Sequence, residues 1–227
     1  MIIKELKKIK AFYIFSDISN FSAWAKQNQP EIKDLLAILY SHAENIFTSH
    51  NKSYYKRVVK YLGDGFFAIN EYNGKPFLNK LLNTLQDVLS FISTFKTAIK
   101  KSKLHQKNDI DISFGLSFGS SIRFYLNNNK YDYAGEKINF ASRLCNIAEK
   151  SELCCEIDLR DYIENNDCFK EIGITSGKTH NIEVKGYGDI EIYTLGKVNT
   201  NNFNQKIINN ATGSAQTIIS SYPFFNK

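Results

Sequence analysis

The sequence predicts an α+β fold, in which an antiparallel sheet is covered by helices, and three observations lead to that prediction. Residues 11–17 and 58–68 are rich in aromatic and β-branched side chains, as buried strands are, and each segment contains an aspartate. Residues 31–50 and 75–101 carry apolar side chains at the spacing of amphipathic helices. Residues 110–119 alternate at period two, which indicates a further strand.

In the first half of the chain we expect a strand, a helix, a hairpin and a second helix. Pro30 suits the first turn of the first helix, where its missing amide hydrogen is not needed. Gly63 and Gly65 bracket Asp64, which is what a tight turn between two paired strands needs. The expected elements are strand 11–17, helix 31–50, strands 54–62 and 65–70, and helix 75–101.

The second half of the sequence predicts two more strands, a helix and several shorter elements. Three consecutive asparagines, residues 127–129, form the expected turn after the second of these strands. The expected elements are strands 110–119 and 121–126, helix 135–150, strand 152–157, helix 160–165 and a closing hairpin of residues 182–186 and 190–195. The leading order β-α-β-β-α-β is that of a ferredoxin-like sheet with its helices on one face.

Length and composition indicate one globular domain. The 227 residues can bury a sizeable core, and 43% of them are hydrophobic. We divide the chain into a basic lead-in (1–10), a folded domain (11–198) and a polar tail (199–227) that we expect to be loosely ordered. Because no apolar run approaches the roughly 20 residues of a membrane span, and the N-terminus has no signal-peptide core, we expect a cytoplasmic protein without a membrane span. The net charge of +6 suits a polyanionic ligand, either a nucleotide or a nucleic acid.

An aspartate follows each of two apolar strand segments: Asp17 follows the first and Asp64 the second. Burying an unpaired carboxylate is costly, so we expect something to neutralise them. If the two strands are neighbours, a divalent cation between the carboxylates would do so, because magnesium is commonly held by one or two carboxylates together with substrate phosphates.

Three stretches of the sequence carry the motifs of a known family. They are Phe15-x-Asp17-Ile18-x-x-Phe21-Ser22, then Lys60-x-x-Gly63-Asp64-Gly65, and residues 131–144, which fit D-x-x-G-x-x-[VI]-N-x-A-x-R-[LM]. Together they resemble the class III nucleotidyl cyclases, over about residues 12–195. The resemblance implies the ferredoxin-like core of that family, with residues 11–198 as its catalytic domain.

The resemblance also implies an enzyme that converts a nucleoside triphosphate into a 3′,5′-cyclic nucleotide and pyrophosphate. Asp17, Ile18 and Asp64 match the metal-binding positions, which imply two Mg²⁺ or Mn²⁺ ions in each site. In such a site one ion lowers the pKa of the ribose 3′-hydroxyl and the other screens the leaving pyrophosphate. Phe21 and Ser22 match positions that bind the substrate.

The third motif implies residues that act on the sugar and on the reacting phosphate. Asn139 and Arg143 are four positions apart and share one face of the predicted helix. By resemblance, Asn139 orients the ribose and Arg143 stabilises the charge that builds on the α-phosphate, a role that suits a permanently charged guanidinium. Lys185 lies in a late K-G-x-G turn and is implied to reach the terminal phosphates.

Lys60 and Asp132 match the pair that reads the base in this family. A lysine donates to a ring nitrogen and an aspartate accepts from an exocyclic amine, an edge that adenine and cytosine both present. Guanine and uracil present a carbonyl to the aspartate and would leave acceptors unpaired, which disfavours them. The pair therefore predicts ATP or CTP as the substrate.

Three positions depart from the family pattern. Asn20 stands where the family usually has a glycine in the phosphate-binding loop, although asparagine tolerates left-handed backbone angles. Ser113 replaces an arginine of many members, and Tyr187 replaces a frequent basic residue. The departures at Asn20 and Ser113 motivate an alternative, an inactive nucleotide-binding regulator on the same fold.

The quaternary structure and the biological role also follow from the resemblance. One chain carries both halves of a site that the family builds from two subunits, so a head-to-tail homodimer is expected. Because we expect no sensor or anchor beside the catalytic domain, the chain resembles the free-standing pyrimidine cyclases of Pycsar anti-phage systems, whose cyclic nucleotide is read by a separate effector. We favour a cytidylate or uridylate cyclase acting on CTP or UTP, with an adenylate cyclase as the alternative. An RNA-binding sheet is a third hypothesis, but no RNP-like motif appears, so we expect no nucleic-acid partner.

Overall fold

The computed structural model describes residues 6–48, 56–74, 76–104, 110–126, 130–174 and 177–196, which form one eight-stranded sheet flanked by helices. The strands are β1 (Leu6–Ile18), β2 (Lys56–Tyr61), β3 (Gly65–Glu71), β4 (Ile112–Leu126), β5 (Lys130–Ala134), β6 (Leu153–Glu156), β7 (Gly177–Val184) and β8 (Gly188–Leu195). The α-helices are α1 (Phe21–Gln27), α2 (Ile32–Phe47), α3 (Phe77–Lys101), α4 (Glu136–Ile147), α5 (Arg160–Glu164) and α6 (Cys168–Glu171). In the part of the chain that the structure describes, no helix combines the length and apolarity that crossing a bilayer requires.

The sheet has the strand order β2-β3-β1-β4-β6-β8-β7, and β5 pairs with the second half of β4. Among the described strands, all pairings are antiparallel except that of β4 with β6. Strands β4-β1-β3-β2, together with α2 and α3, form the expected ferredoxin-like β-α-β-β-α-β unit. The α+β prediction is therefore confirmed.

Helices α2 and α3 cover one face of this unit. Alternate residues of the central strands meet the apolar stripes of the two helices, as their periodicity predicts. The fully buried residues on this face include Phe12 and Ile14 of β1, Phe66 of β3, Phe114 and Leu116 of β4, Leu35 and Leu39 of α2, and Leu85, Val88 and Phe91 of α3. Burying each such side chain stabilises the fold by about 1.5–3 kcal/mol.

Helix α4 packs against the opposite face of the sheet. Strand β4 presents small side chains there, and Gly115 gives the closest approach: a Cβ on Gly115 would lie 2.1 Å from the main-chain oxygen of Ala141 and 2.3 Å from the nitrogen of Cys145. A glycine at this position lets the helix backbone rest directly on the strand. The predicted arrangement with helices on one face therefore holds for α2 and α3, whereas α4 departs from it.

Strands β1 and β4 are longer than predicted. Because β1 begins at Leu6 and pairs with β4 along its whole length, residues 6–10 belong to the sheet and not to a separate lead-in. Strand β4 is continuous through Gly119 and Ser120, where the sequence predicted a break, because the pairing with β1 runs unbroken past them. Elements α1, β5 and α6 were not predicted, since each is too short to show a clear period. The predicted tail, 199–227, lies outside the described residues.

Candidate active site

The end of the β1–β3 pair brings Asp17 and Asp64 together. Asp17 lies opposite Gly65 in the register of the two strands, and the Ile18 amide donates to the main-chain oxygen of Asp64 at 2.9 Å. A Cβ on Gly65 would lie 2.0 Å from the Ser16 oxygen, so the strands can approach this closely only because Gly65 has no side chain. The condition set by the sequence, that the two aspartate-bearing strands be neighbours, is met.

The electrostatics of this corner favour a cation. Burial, and then the negative charge of Asp64, raise the pKa of Asp17 from 3.8 to about 6. A divalent ion placed between the carboxylates would remove this repulsion and compensate for the lost hydration.

The ligand atoms available at this corner fit a metal ion that is bound partly by the protein and partly by the substrate. Asp17 and Asp64 supply two carboxylates, and Ile18 could add only its main-chain oxygen, because its side chain is a hydrocarbon without a ligand atom. Within the described residues, no group of three or more His, Cys, Asp or Glu side chains could hold a metal ion. A hard cation would therefore need further oxygen ligands, such as the phosphates of a nucleotide.

The loop between β1 and α1 runs directly from the Asp17 corner. Asn20 adopts φ +60° and ψ +25°, the left-handed conformation that the sequence analysis expected asparagine to tolerate in place of glycine. Its main-chain oxygen accepts from the Trp24 amide at 3.1 Å, and the Ser19 amide donates to the Asp111 oxygen at 3.0 Å. Phe21 is partly buried against the core, and Ser22 is exposed in the first turn of α1.

Lys60 and Asp132 form an ion pair, with 2.8 Å between Nζ and Oδ2. Their strands, β2 and β5, are not neighbours in the sheet, so the fold brings together two residues that are distant in sequence. The Lys60 side chain is 53% exposed and that of Asp132 is 19% exposed, which leaves the pair open to a ligand from the solvent side.

Asn139 and Arg143 lie one turn apart on α4, and both are exposed. Lys185 is exposed in the turn between β7 and β8. Tyr187 holds that turn against α4, because its ring packs on Phe140 at 4.8 Å and its hydroxyl donates to the Glu136 oxygen at 3.0 Å. The fold thus gathers Asn139, Arg143 and Lys185 around one helix, and Tyr187 has a packing role there.

Two residues at the Asp17 corner add to what the motifs predicted. Ser113 is 4% exposed, lies opposite Asp17 in the β1–β4 pair, and its Oγ is 3.4 Å from the Asp17 main-chain oxygen. Tyr40 of α2 donates its hydroxyl to the Gly63 oxygen at 2.6 Å, which sequence reasoning missed. Helical periodicity could not have found this contact, because it shows which side of α2 is apolar but not which loop a polar tip will reach.

The chain matches one known protein family. The family model for the adenylate and guanylate cyclase catalytic domain matches residues 6–197. Comparison with curated protein sequences gives no significant match.

Three solved structures illustrate the similarity of the fold. The adenylyl cyclase CyaB from P. aeruginosa has a TM-score of 0.64 and 16% identity, over 85% of this chain and 96% of that one. The guanylyl cyclase Cya2 has a TM-score of 0.66 and 12% identity, over 87% and 96%. The guanylate cyclase domain of RhGC from Catenaria anguillulae, solved in complex with GTP, has a TM-score of 0.55 and 20% identity, over 83% and 97%. Because the family model spans most of its length, this chain belongs to the adenylate and guanylate cyclase catalytic domain family.

Proposed function

We propose that this protein is an active nucleotidyl cyclase that converts a nucleoside triphosphate into a 3′,5′-cyclic nucleotide and pyrophosphate. The observation that carries the proposal is the pair of carboxylates, Asp17 and Asp64, at the end of two hydrogen-bonded strands, with the pKa of Asp17 raised to about 6. Two Mg²⁺ or Mn²⁺ ions, when bound there, would supply the charge that activates the 3′-hydroxyl and screens the pyrophosphate. Asp17, Asp64 and the Ile18 main-chain oxygen would hold them.

Lys60 and Asp132 would bind the base. The 2.8 Å ion pair supports this role, because each side chain holds the other in place until a base exchanges with it. Lysine as the donor and aspartate as the acceptor select a ring nitrogen beside an exocyclic amine, so CTP and ATP are the two substrates that we propose. The same chemistry gives UTP and GTP a lower rate, because their carbonyl would face the Asp132 carboxylate.

Asn139, Arg143 and Lys185 would act on the nucleotide of a partner subunit. Their exposure on and beside α4 supports this role, because it leaves them accessible to a molecule outside their own chain. Arg143 would neutralise the charge that develops on the α-phosphate, Asn139 would orient the ribose, and Lys185 would reach the terminal phosphates. Phe21 and Ser22 would position the phosphates of the nucleotide held by their own chain. We therefore propose a head-to-tail homodimer with two equivalent sites.

The test is a turnover assay of the full-length purified chain with ATP, CTP, GTP and UTP in turn, in the presence of Mn²⁺. We expect a cyclic product, identified by mass spectrometry, from CTP or ATP at a higher rate than from UTP or GTP. A folded, dimeric protein that forms no cyclic product from any of the four nucleotides contradicts the proposal. Tight nucleotide binding without turnover would instead support an inactive regulator.

A further inference from the structure

The turn that carries Asp64 is tied to helix α2 by an aromatic pair. Tyr40 donates its hydroxyl to the Gly63 oxygen at 2.6 Å, and its ring centroid is 4.3 Å from that of Tyr61. The Tyr61 hydroxyl donates in turn to Glu44 Oε2 at 2.8 Å. The Tyr40 hydroxyl therefore contacts the turn itself, whereas the Tyr61 hydroxyl contacts a side chain of the helix.

Gly63 has little restraint of its own. It adopts φ +86°, and among the described residues no atom other than those of its chain neighbours lies within 4 Å of the place where its Cβ would be, so side-chain packing does not fix this residue. A glycine in open space has many accessible backbone conformations, and an external hydrogen bond then decides which one is held. The peptide group is planar, so a bond that fixes the Gly63 carbonyl also fixes the amide and the Cα of Asp64.

The geometry points to Tyr40 as a positioning residue for Asp64, holding the 63–64 peptide so that the Asp64 carboxylate stays beside Asp17 and can share a cation with it. This inference rests on the proposed function, because it assigns the purpose of the contact to metal binding. Tyr40 itself touches neither metal nor substrate and acts only through the turn.

Charge explains why such a restraint is needed. Asp17 and Asp64 are like charges held together at the end of the paired strands β1 and β3, so they repel each other in the absence of a cation. Among the described residues, two main-chain hydrogen bonds hold the turn on the side away from Tyr40. The Ile18 amide donates to the Asp64 oxygen and the Leu62 amide donates to the Gly65 oxygen, both at 2.9 Å. Without the Tyr40 hydroxyl the turn would relax away from β1, and binding a cation would have to draw it back.

The Tyr40 hydroxyl is protonated at neutral pH, as an ordinary tyrosine is, and burial moves its pKa further in the same direction. Burial, and to a lesser degree the negative charge of Asp64, raise the pKa of Tyr40, while its hydrogen bond to Gly63 acts in the opposite direction. The phenol is therefore a donor throughout the neutral range, as the contact with a carbonyl oxygen requires.

The test compares Tyr40→Phe with Tyr61→Phe in the full-length chain. Each variant loses one hydroxyl and keeps the ring contact, but only Tyr40→Phe loses the bond to the turn. Amide hydrogen exchange in metal-free protein reports the turn directly, and the electron paramagnetic resonance signal of free Mn²⁺ reports cation binding in the presence of a nonhydrolysable triphosphate. Neither measurement depends on turnover, so a wild-type protein that forms no cyclic product would contradict the proposed function and leave this test intact.

For Tyr40→Phe we expect faster exchange at the Ile18 and Leu62 amides and a dissociation constant for Mn²⁺ about threefold to tenfold higher, the range that one lost hydrogen bond produces. Where the wild type turns over, saturating Mn²⁺ should restore kcat, because only the position of Asp64 is affected. Tyr61→Phe should match the wild type in exchange and in Mn²⁺ binding. The inference is overturned if Tyr40→Phe matches the wild type in both measurements, or if Tyr61→Phe changes them equally.

Discussion

Lys60 and Asp132 contact each other at 2.8 Å across strands that are not neighbours in the sheet, so the pair that we propose to read the base is already assembled in a single chain. In the proposed site this pair would select by exclusion, because a base that presents a carbonyl to the Asp132 carboxylate would leave two acceptors unpaired.

Removing that carboxylate should therefore reduce selectivity as well as activity. For Asp132→Ala we expect kcat/KM with the preferred nucleotide to fall by about tenfold to a hundredfold, because a hydrogen bond to a charged group is lost. The kcat/KM values with GTP and UTP should fall less, so the difference in kcat/KM between the preferred nucleotide and these two should become smaller. The measurement is kcat/KM with all four nucleotides. The control is Asp161→Ala, which removes an exposed carboxylate next to Arg160 and should leave the relative kcat/KM values of the four nucleotides unchanged. If Asp132→Ala also left them unchanged, the proposed role of Asp132 in base recognition would be contradicted.

The pKa of Asp17 predicts how the metal-free protein responds to pH. Because folding raises this pKa from 3.8 to about 6, the folded state binds more protons than the unfolded state between these values, and stability should fall as pH rises from about 4 to about 6. Asp17→Asn cannot ionise and should lose the part of this dependence that Asp17 contributes, whereas Asp87, whose pKa burial also raises to about 6, keeps its own part.

In EDTA at pH 7, Asp17→Asn should therefore melt at a higher temperature than the wild type, and the difference should disappear below about pH 4. Thermal unfolding followed by circular dichroism at several pH values measures this. Asp189→Asn, at an exposed position of β8, is the matched control and should follow the wild type at each pH. A lower melting temperature for Asp17→Asn at pH 7 would show that the carboxylate is not destabilised by burial.

Cation binding should have the opposite pH dependence. A metal ion needs the ionised carboxylate, so protons compete with Mn²⁺ wherever Asp17 is protonated. Since the pKa of Asp17 is about 6, the affinity for Mn²⁺ should be nearly constant above about pH 7 and should weaken as pH falls below 6. Titration of free Mn²⁺ by electron paramagnetic resonance between pH 5 and pH 8 would test this, with Asp64→Asn as a variant that should bind weakly at every pH. Affinity that stays constant down to pH 5 would argue against Asp17 as a ligand.

The sequence predicted the Asp17–Asp64 corner because each aspartate ends a segment whose apolar character marks a buried strand. The left-handed conformation of Asn20 was predictable for a similar reason, since it follows from the chemistry of one residue type. In both cases the information is local in the chain.

Other features depend on contacts that no local pattern contains. Helix α4 packs against the small residues of β4, such as Gly115. Period-two alternation alone does not show which face of the sheet a later helix will cover. The continuity of β4 through Gly119 depends on pairing with β1, a partner about a hundred positions away. The Tyr40–Gly63 contact likewise depends on how α2 sits over the hairpin.

Gly65 should tolerate no side chain, because a Cβ would lie 2.0 Å from the Ser16 oxygen and would separate β1 from β3. We expect Gly65→Ala to lower the free energy of unfolding by about 1–3 kcal/mol, as overpacking commonly does, and to weaken Mn²⁺ binding by moving Asp17 away from Asp64. Urea unfolding and Mn²⁺ titration measure the two effects. Gly196→Ala is the control, since among the described residues no atom beyond its chain neighbours lies within 4 Å of its Cβ position, and it should change neither. Equal stability of the two variants would contradict the close approach of the strands.

Complementation between two inactive variants tests the shared site of the proposed homodimer. Asp17→Ala removes a metal carboxylate and Arg143→Ala removes the exposed guanidinium of α4, so each variant alone should be inactive. In a mixture, half of the dimers contain one chain of each kind, and in these dimers one of the two sites has a complete set of residues. Random reassortment should therefore restore about one quarter of the wild-type activity.

The control mixture is Asn139→Ala with Arg143→Ala, two substitutions in the same half of the site. Every site in that mixture lacks one of the two residues, so no activity should return. If each site were built from one chain alone, Asp17→Ala with Arg143→Ala would also recover nothing, because every chain would carry a defective site. A site shared between subunits predicts about one quarter of the wild-type activity in the first mixture and none in the second. No other arrangement produces this combination, because only in a shared site does the recovered activity depend on which half of the site each substitution affects.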